Sequence, residues 1–251
     1  MRILALAAAL IVPTAALATS IVAVRTSRSF IIAADSKPTY RGVPGPPKVC
    51  KIYRTGKLYF AISGLEYDKD RRFEPAQIIA SKFSDTISFD RLAARVESAV
   101  KEALTKELEE LRSSDPQTFR FTTKGSDITS ILLAEIRRGV PHVAAREFKY
   151  SESPAPHLDV NRITCPGNCP RGNQYFFLGE QTDATQYVRD HRREVLDSRT
   201  VPAALVRLEA KSHPDDVGPP VVLLRVDNRG PHWLANESAC PIVVTPQEST
   251  R

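Results

Sequence analysis

The sequence is short of the features that would mark several large classes of protein. In its 251 residues no apolar run approaches the roughly 18 residues that make a membrane-spanning helix. No basic block is interleaved with aromatics. The basic residues fall as singles and pairs, such as Arg71-Arg72, Arg137-Arg138 and Arg192-Arg193, so the net charge of +6 does not describe a nucleic-acid surface. The 11 Gly and 19 Pro show no period, which excludes a collagen-like or low-complexity chain. There is no internal repeat and there are only four cysteines. What remains is 42% hydrophobic and 25% charged, enough to bury a sizeable core in one large domain or two small ones.

The N-terminus has the parts of a secretory signal peptide in their usual order. Met1-Arg2 is a short positive region, Ile3 to Val12 is apolar, Pro13 breaks the run, and Ala16-Leu17-Ala18 is a small-x-small cleavage site. The expected division is therefore a signal peptide over 1–18, a domain over 19–238 and a tail over 239–251. The expected destination is the periplasm or the medium. No membrane anchorage is expected after cleavage, since no Cys follows the site to carry a lipid.

The segments Ser20–Thr26 and Ser29–Ala34 are rich in β-branched residues and apolar on both faces. They read as a hairpin in a sheet covered on both sides. A second hairpin reads over Val49–Arg54 and Lys57–Ser63. Helices read over Glu74–Phe83 and Asp90–Arg112. The second carries Leu92, Val96, Val100, Leu104, Leu108 and Leu111 on one stripe, with Ser113-Ser114-Asp115-Pro116 as its stop. Strands read over Asp127–Ile136 and Val140–Tyr150, then an irregular stretch over Ser151–Asn173, then a strand over Gln174–Leu178. Helices over Thr182–Leu196 and Val201–Ser212 and a final hairpin over Pro220–Val226 and His232–Ala235 close the order, which predicts layered α+β packing.

In an exported chain, Cys50, Cys165, Cys169 and Cys240 favour two disulfides. Three pairings exist. The turn Pro166-Gly167-Asn168 lets Cys165 meet Cys169, which leaves Cys50 for Cys240. A zinc site on cysteines is disfavoured, because the Cys-x3-Cys pair has no second close pair and no suitably spaced His. No metal and no cofactor are expected. His142, His157, His191, His213 and His232 read as surface residues, and Asn236-Glu237-Ser238 fits a glycosylation acceptor only in a eukaryotic host.

Cleavage after Ala18 would make Thr19 the first residue. An N-terminal Thr carries its own nucleophile, the hydroxyl, and its own base, an α-amine with a pKa of about 7.7–8.0. Asp35 lies sixteen residues on, at the end of the second strand, and Lys51 thirty-two on, in the third. A returning hairpin brings Asp35 back beside the start of the first strand, and a third strand can set Lys51 between them.

On these residues the sequence resembles the proteasome β-subunit family of N-terminal-nucleophile (Ntn) hydrolases. The matching text is Thr19-Ser-Ile-Val-Ala-Val-Arg25, Ile32-Ala-Ala-Asp35-Ser36-Lys37-Pro38-Thr39, Lys51-Ile52 and Ala61-Ile-Ser63-Gly64, with Asp68 four residues further. The bacterial peptidase that partners an unfolding ATPase is similar. The resemblance is specific over Thr19–Asp68 and looser over Ile128–Ala235. Together with the element order it implies a four-layer αββα sandwich.

The resemblance implies that Thr19 is nucleophile and base, that Lys51 lowers the hydroxyl's pKa, and that Asp35 holds Lys51 and the amine. It implies that the Gly64 N–H receives the oxyanion. Thr39 would pair its backbone with an extended substrate, beside Lys37, where the family usually has Arg. Asp215 would help orient the amine. Two supporting positions depart from the family: Gly179-Glu180-Gln181 stands where it has a Ser between glycines, and Gly218 where it has a second Ser. Ala18, rather than Gly, precedes the Thr, so signal peptidase would do the unmasking.

The activity so implied is that of an exported threonine peptidase acting on peptide bonds, with a homo-oligomer or ring as an expected assembly. The alternatives are a non-peptide amidase or acylase on the same fold, or a catalytically silent member acting as a binding or assembly module.

Overall fold

The computed structural model describes residues 19–37, 49–65, 73–124, 127–169, 172–191, 200–235 and 240–246. Residues 1–18, read as a signal peptide, together with Thr39, Asp68 and Asn236-Glu237-Ser238, lie outside the described residues.

The fold is mixed α+β, built on two sheets. Strands β1 (Ser20–Arg25) and β2 (Ser29–Ala34) form the expected hairpin, with Ile21 opposite Ala34. They occupy the middle of a five-stranded sheet. On one side β2 pairs with β9 (Val222–Asp227), which pairs with β10 (Gly230–Ala235). On the other side β1 pairs with β8 (Gln174–Gly179). The second sheet runs in the order β11-β3-β4-β5-β6-β7. Its members are β3 (Ile52–Thr55), β4 (Leu58–Gly64), β5 (Thr129–Arg137), β6 (Val140–Ser151), β7 (His157–Cys165) and β11 (Ile242–Val243).

Side-chain alternation divides the apolar residues among three cores. Ile21, Ala23, Phe30 and Ile32 pack against Ile52, Tyr59, Ala61, Leu132 and Ala134, between the two sheets. The opposite-facing Val22, Ile31 and Ala33 of the first sheet pack on Ala184 of helix α4 (Thr182–Asp190) and on Ala203, Leu205 and Val206 of α5 (Val201–Ser212). Both faces of the β1–β2 hairpin are thus covered, as its sequence requires. The outer face of the second sheet, with Phe60, Ile62, Ile131 and Leu133, meets Ile79 of α1 (Pro75–Lys82) and the stripe Leu92, Val96, Val100, Leu104 and Leu108 of α2 (Phe89–Ser114). Full burial of each stripe residue is worth about 1.5–3 kcal/mol gross. Ser88 caps α2, its side chain accepting from the Arg91 N–H. Glu97 of α2 accepts from Arg146 Nε at 2.8 Å and from Arg162 Nη2 at 2.7 Å, pinning the helix to β6 and β7.

Four features differ from the sequence expectation. The stretch read as irregular contains β7, an edge strand with most side chains exposed. The stop after α2 is also a start: Asp115 accepts from the Thr118 N–H, and α3 (Pro116–Thr123) follows with Pro in its first turn, where no N–H is missed. Lys51 sits immediately before β3 rather than within it. Among the described residues the pairing is antiparallel except at one edge, where Ile242–Val243, in the segment read as a tail, lies parallel to Tyr53–Arg54. Helix α4 ends at Asp190, and residues 192–196 of the expected helix lie outside the described residues.

Both expected disulfides are present, Cys50–Cys240 and Cys165–Cys169, each with Cα atoms 5.4 Å apart. Two disulfides are consistent with an exported chain. Among the described residues no helix is long and apolar enough to cross a membrane.

Candidate active site

The register of the β1–β2 hairpin sets the first contact. Because Ile21 faces Ala34, Ser20, the first residue of β1, and Asp35, the residue after β2, lie side by side, and the Asp35 N–H donates to the Ser20 carbonyl at 3.1 Å. Asp35 is fully buried and its carboxylate accepts four bonds. Oδ1 takes the Ser20 N–H at 3.0 Å and Lys51 Nζ at 2.8 Å; Oδ2 takes the Lys37 N–H at 3.1 Å and the Gly218 N–H at 3.4 Å. This set explains how a carboxylate survives in the core: every lone-pair direction meets a donor.

Lys51 reaches this point from the other sheet. Its neighbours Cys50 and Ile52 face the intersheet core, so alternation turns Lys51 away from that packing. Its ammonium donates to Thr19 Oγ1 at 2.9 Å as well as to Asp35. Thr19, Asp35 and Lys51 are respectively 2%, 0% and 3% exposed, so the three groups interact with little water between them. At that burial an ammonium touching a hydroxyl oxygen favours its alkoxide far more than it could in solvent.

β8 supplies the other wall. Ser20 pairs with Gly179, and the Glu180 N–H donates to the Thr19 carbonyl at 2.8 Å. Gly179 has φ +76, and a Cβ there would stand 1.7 Å from that carbonyl oxygen, so the backbone of β8 approaches Thr19 as only glycine permits. The same Cβ would lie 3.3 Å from Ser63, placing the end of β4 at the site. Gly64 follows with φ +88, its Cα side closed by the Ile128 carbonyl.

Of the residues singled out from sequence, Thr19, Asp35 and Lys51 come into direct contact, and Gly64 ends the strand beside them. Lys37 contributes its N–H to Asp35, and its ammonium bonds the carbonyls of Pro214 and Asp215, both at 2.6 Å. Asp215 therefore joins the site through its backbone, and Gly218 through both its N–H and its carbonyl, the latter accepting from the Ser36 N–H. Next to this loop, burial pushes the Asp216 carboxyl above the usual carboxylate range, partly offset by Lys37. Thr39 lies outside the described residues.

Sequence reasoning missed the backbone clamp on Thr19 from Gly179-Glu180, although a glycine closing a strand was its signal. It also misjudged two histidines. His142 is partly buried with its ring 5.3 Å from Phe89, and burial pushes its pKa below the usual histidine value. His213 is partly buried among three carboxylates.

No protein-family model and no curated protein sequence matches the chain. Among solved structures, it is similar to an Anbu (Gly-1) mutant from Hyphomicrobium sp. strain MC1, with a TM-score of 0.53 and 18% identity over 87% of this chain and 88% of that one. At that identity the likeness is one of fold.

Proposed function

We propose that the chain is an exported N-terminal threonine hydrolase of peptide bonds on a four-layer αββα sandwich, with Thr19 exposed by removal of residues 1–18. The observation that carries this reading is the buried contact of Lys51 Nζ with both Thr19 Oγ1 and Asp35 Oδ1. The layer order is supported by three separate apolar cores around two sheets.

In the reaction so proposed, Thr19 Oγ attacks the amide carbonyl and its proton passes to the free α-amine of Thr19. Lys51 stabilises the developing alkoxide, and Asp35 holds Lys51 in place. The oxyanion of the tetrahedral intermediate is received by a backbone N–H, for which Gly64 is the candidate. Collapse breaks the C–N bond, the amine leaves with the proton from the Thr19 amine, and an ester to Thr19 remains. Water, deprotonated by the same amine, hydrolyses that ester and restores the hydroxyl. The balance is one amide and one water giving one acid and one amine.

The test is turnover of fluorogenic peptide amides by the chain that begins at Thr19, beside Thr19→Ala. Loss of turnover in the variant with an unchanged circular dichroism spectrum is the expected result. Equal turnover would end the enzyme reading. Turnover of small acyl amides without peptides would move the substrate class to the acylases. No turnover of either by the wild type would favour a silent module.

A further inference from the structure

Where α4 begins and α5 ends, four side chains converge that the Thr19 reading does not use. Glu180 and Asp183 come from the first turn of α4 and the residues before it. Glu209 lies on the last turn of α5 and His213 caps its C-terminus four residues on, its N–H bonded to the Glu209 carbonyl. His213 Nε2 lies 3.7 Å from Glu180 Oε1, 3.5 Å from Asp183 Oδ2 and 3.7 Å from Glu209 Oε2. The ligand atoms of Glu180, Glu209 and His213 all lie within 4.8 Å of one another.

Two observations separate this cluster from an ordinary group of surface acids. The first is Glu209. Its side chain is fully buried, one oxygen accepts the Ala184 N–H at 2.6 Å, and the other, Oε2, has no hydrogen-bond partner while it faces the cluster. A buried carboxylate oxygen left without a donor is costly unless a cation meets it. The second is the spacing around His213. A ring N–H paired with a carboxylate would sit about 2.7–2.9 Å from it. Instead Nε2 stands off three carboxylates almost equally. In a tetrahedral site with bonds of about 2.0–2.1 Å, ligand atoms are roughly 3.3 Å apart, and these distances are close to that edge.

We propose that Glu180, Glu209 and His213 form a divalent transition-metal site of the zinc type, with the Asp183 carboxylate at its edge. One imidazole nitrogen selects zinc over magnesium or calcium, which take oxygen ligands. The Ala184 N–H supplies the outer bond that orients Glu209. Glu180, Asp183 and His213 are 27%, 40% and 35% exposed, which leaves a path for the ion. The site touches the candidate nucleophile through one residue, since the N–H of Glu180 holds the Thr19 carbonyl. Bound metal would therefore fix the α4–α5 corner and the strand end that positions Thr19, whether or not Thr19 is a nucleophile.

The test is a zinc titration of the untagged, chelator-stripped chain by calorimetry, with thermal unfolding in parallel. One zinc per chain and a higher Tm are expected. His213→Asn, at a partly exposed position that leaves the metal-free fold intact, should weaken binding at least about a hundredfold and lose the Tm gain, with the metal-free Tm unchanged. Cobalt(II) should give visible absorption with the wild type and none with His213→Asn. The proposal is overturned if zinc binds both chains equally, if it binds neither, or if calcium or magnesium raises the Tm as zinc does.

Discussion

Lys51 Nζ joins two residues that the chain brings to one corner, Thr19 Oγ1 at 2.9 Å and Asp35 Oδ1 at 2.8 Å, so one ammonium links the start of β3 to the neighbouring ends of β1 and β2 in the other sheet. Lys51→Ala should lower hydrolysis at least about a hundredfold, the scale for removing one preorganised charge-stabilising group. It should also cost roughly 3 kcal/mol, the low end for breaking a buried pair, because Asp35 keeps three backbone donors. Asp35→Asn with Lys51→Met should recover much of that stability and none of the activity. Denaturant melts and initial rates on the three chains check both parts.

Gly179→Ala should disable the site without touching a charged group. The new methyl would collide with the Thr19 carbonyl, at a φ of +76 that L-residues avoid. The left-handed backbone costs about 1–2 kcal/mol and the overpacking about 1–3. A melt should show roughly 3 kcal/mol of destabilisation, with turnover reduced. A variant as stable and active as the wild type would remove the proposed clamp on Thr19.

The two disulfides should differ in worth. Cys50–Cys240 spans 190 residues and Cys165–Cys169 spans four. Chain entropy assigns about 5 kcal/mol to the first and about 2 to the second. Cys50 is also the residue before Lys51, and the bridge holds the chain that leads into β11. Cys50→Ala/Cys240→Ala should therefore lose activity earlier in a thermal ramp than Cys165→Ala/Cys169→Ala.

Glu97 gives the fold an acid limit. Burial pushes its carboxyl up, but the hydrogen bonds and charges of Arg162 and Arg146 outweigh this and hold it below the usual value. A lowered carboxyl contributes stability that is present above the unfolded pKa and lost as pH falls through the folded one. Glu97→Gln should therefore destabilise at neutral pH by up to about 3 kcal/mol, since it leaves Arg146 nearly buried without its partner. The gap to the wild type should close as pH drops below about 4, the usual range for Glu. Melts of both chains between neutral and acid pH check the sign.

Much of this architecture can be read from the residues themselves. The β1–β2 text is apolar on both faces because both faces are covered, and the stripe of α2 is its buried side. The spacing of Thr19, Asp35 and Lys51 is legible because a hairpin register converts sequence distance directly into adjacency. β7 hid because it is an edge strand whose exposed, polar residues carry little apolar signal. β11 hid because two residues show no period. The Glu180–His213 cluster hid because two separate helices build it, and only the Glu209/His213 spacing was local.

The central claim, that Thr19 acts through both its hydroxyl and its own α-amine, is tested most directly by a bifunctional electrophile that closes a ring onto both groups. Mass spectrometry of the mature chain should find one such adduct, on residue 19. The adduct should be absent in Thr19→Ala and in a chain extended by one residue before Thr19. Its rate should rise with pH through about 8 as the amine loses its proton. Labelling of the extended chain at the mature rate, or of a residue other than Thr19, would contradict the account.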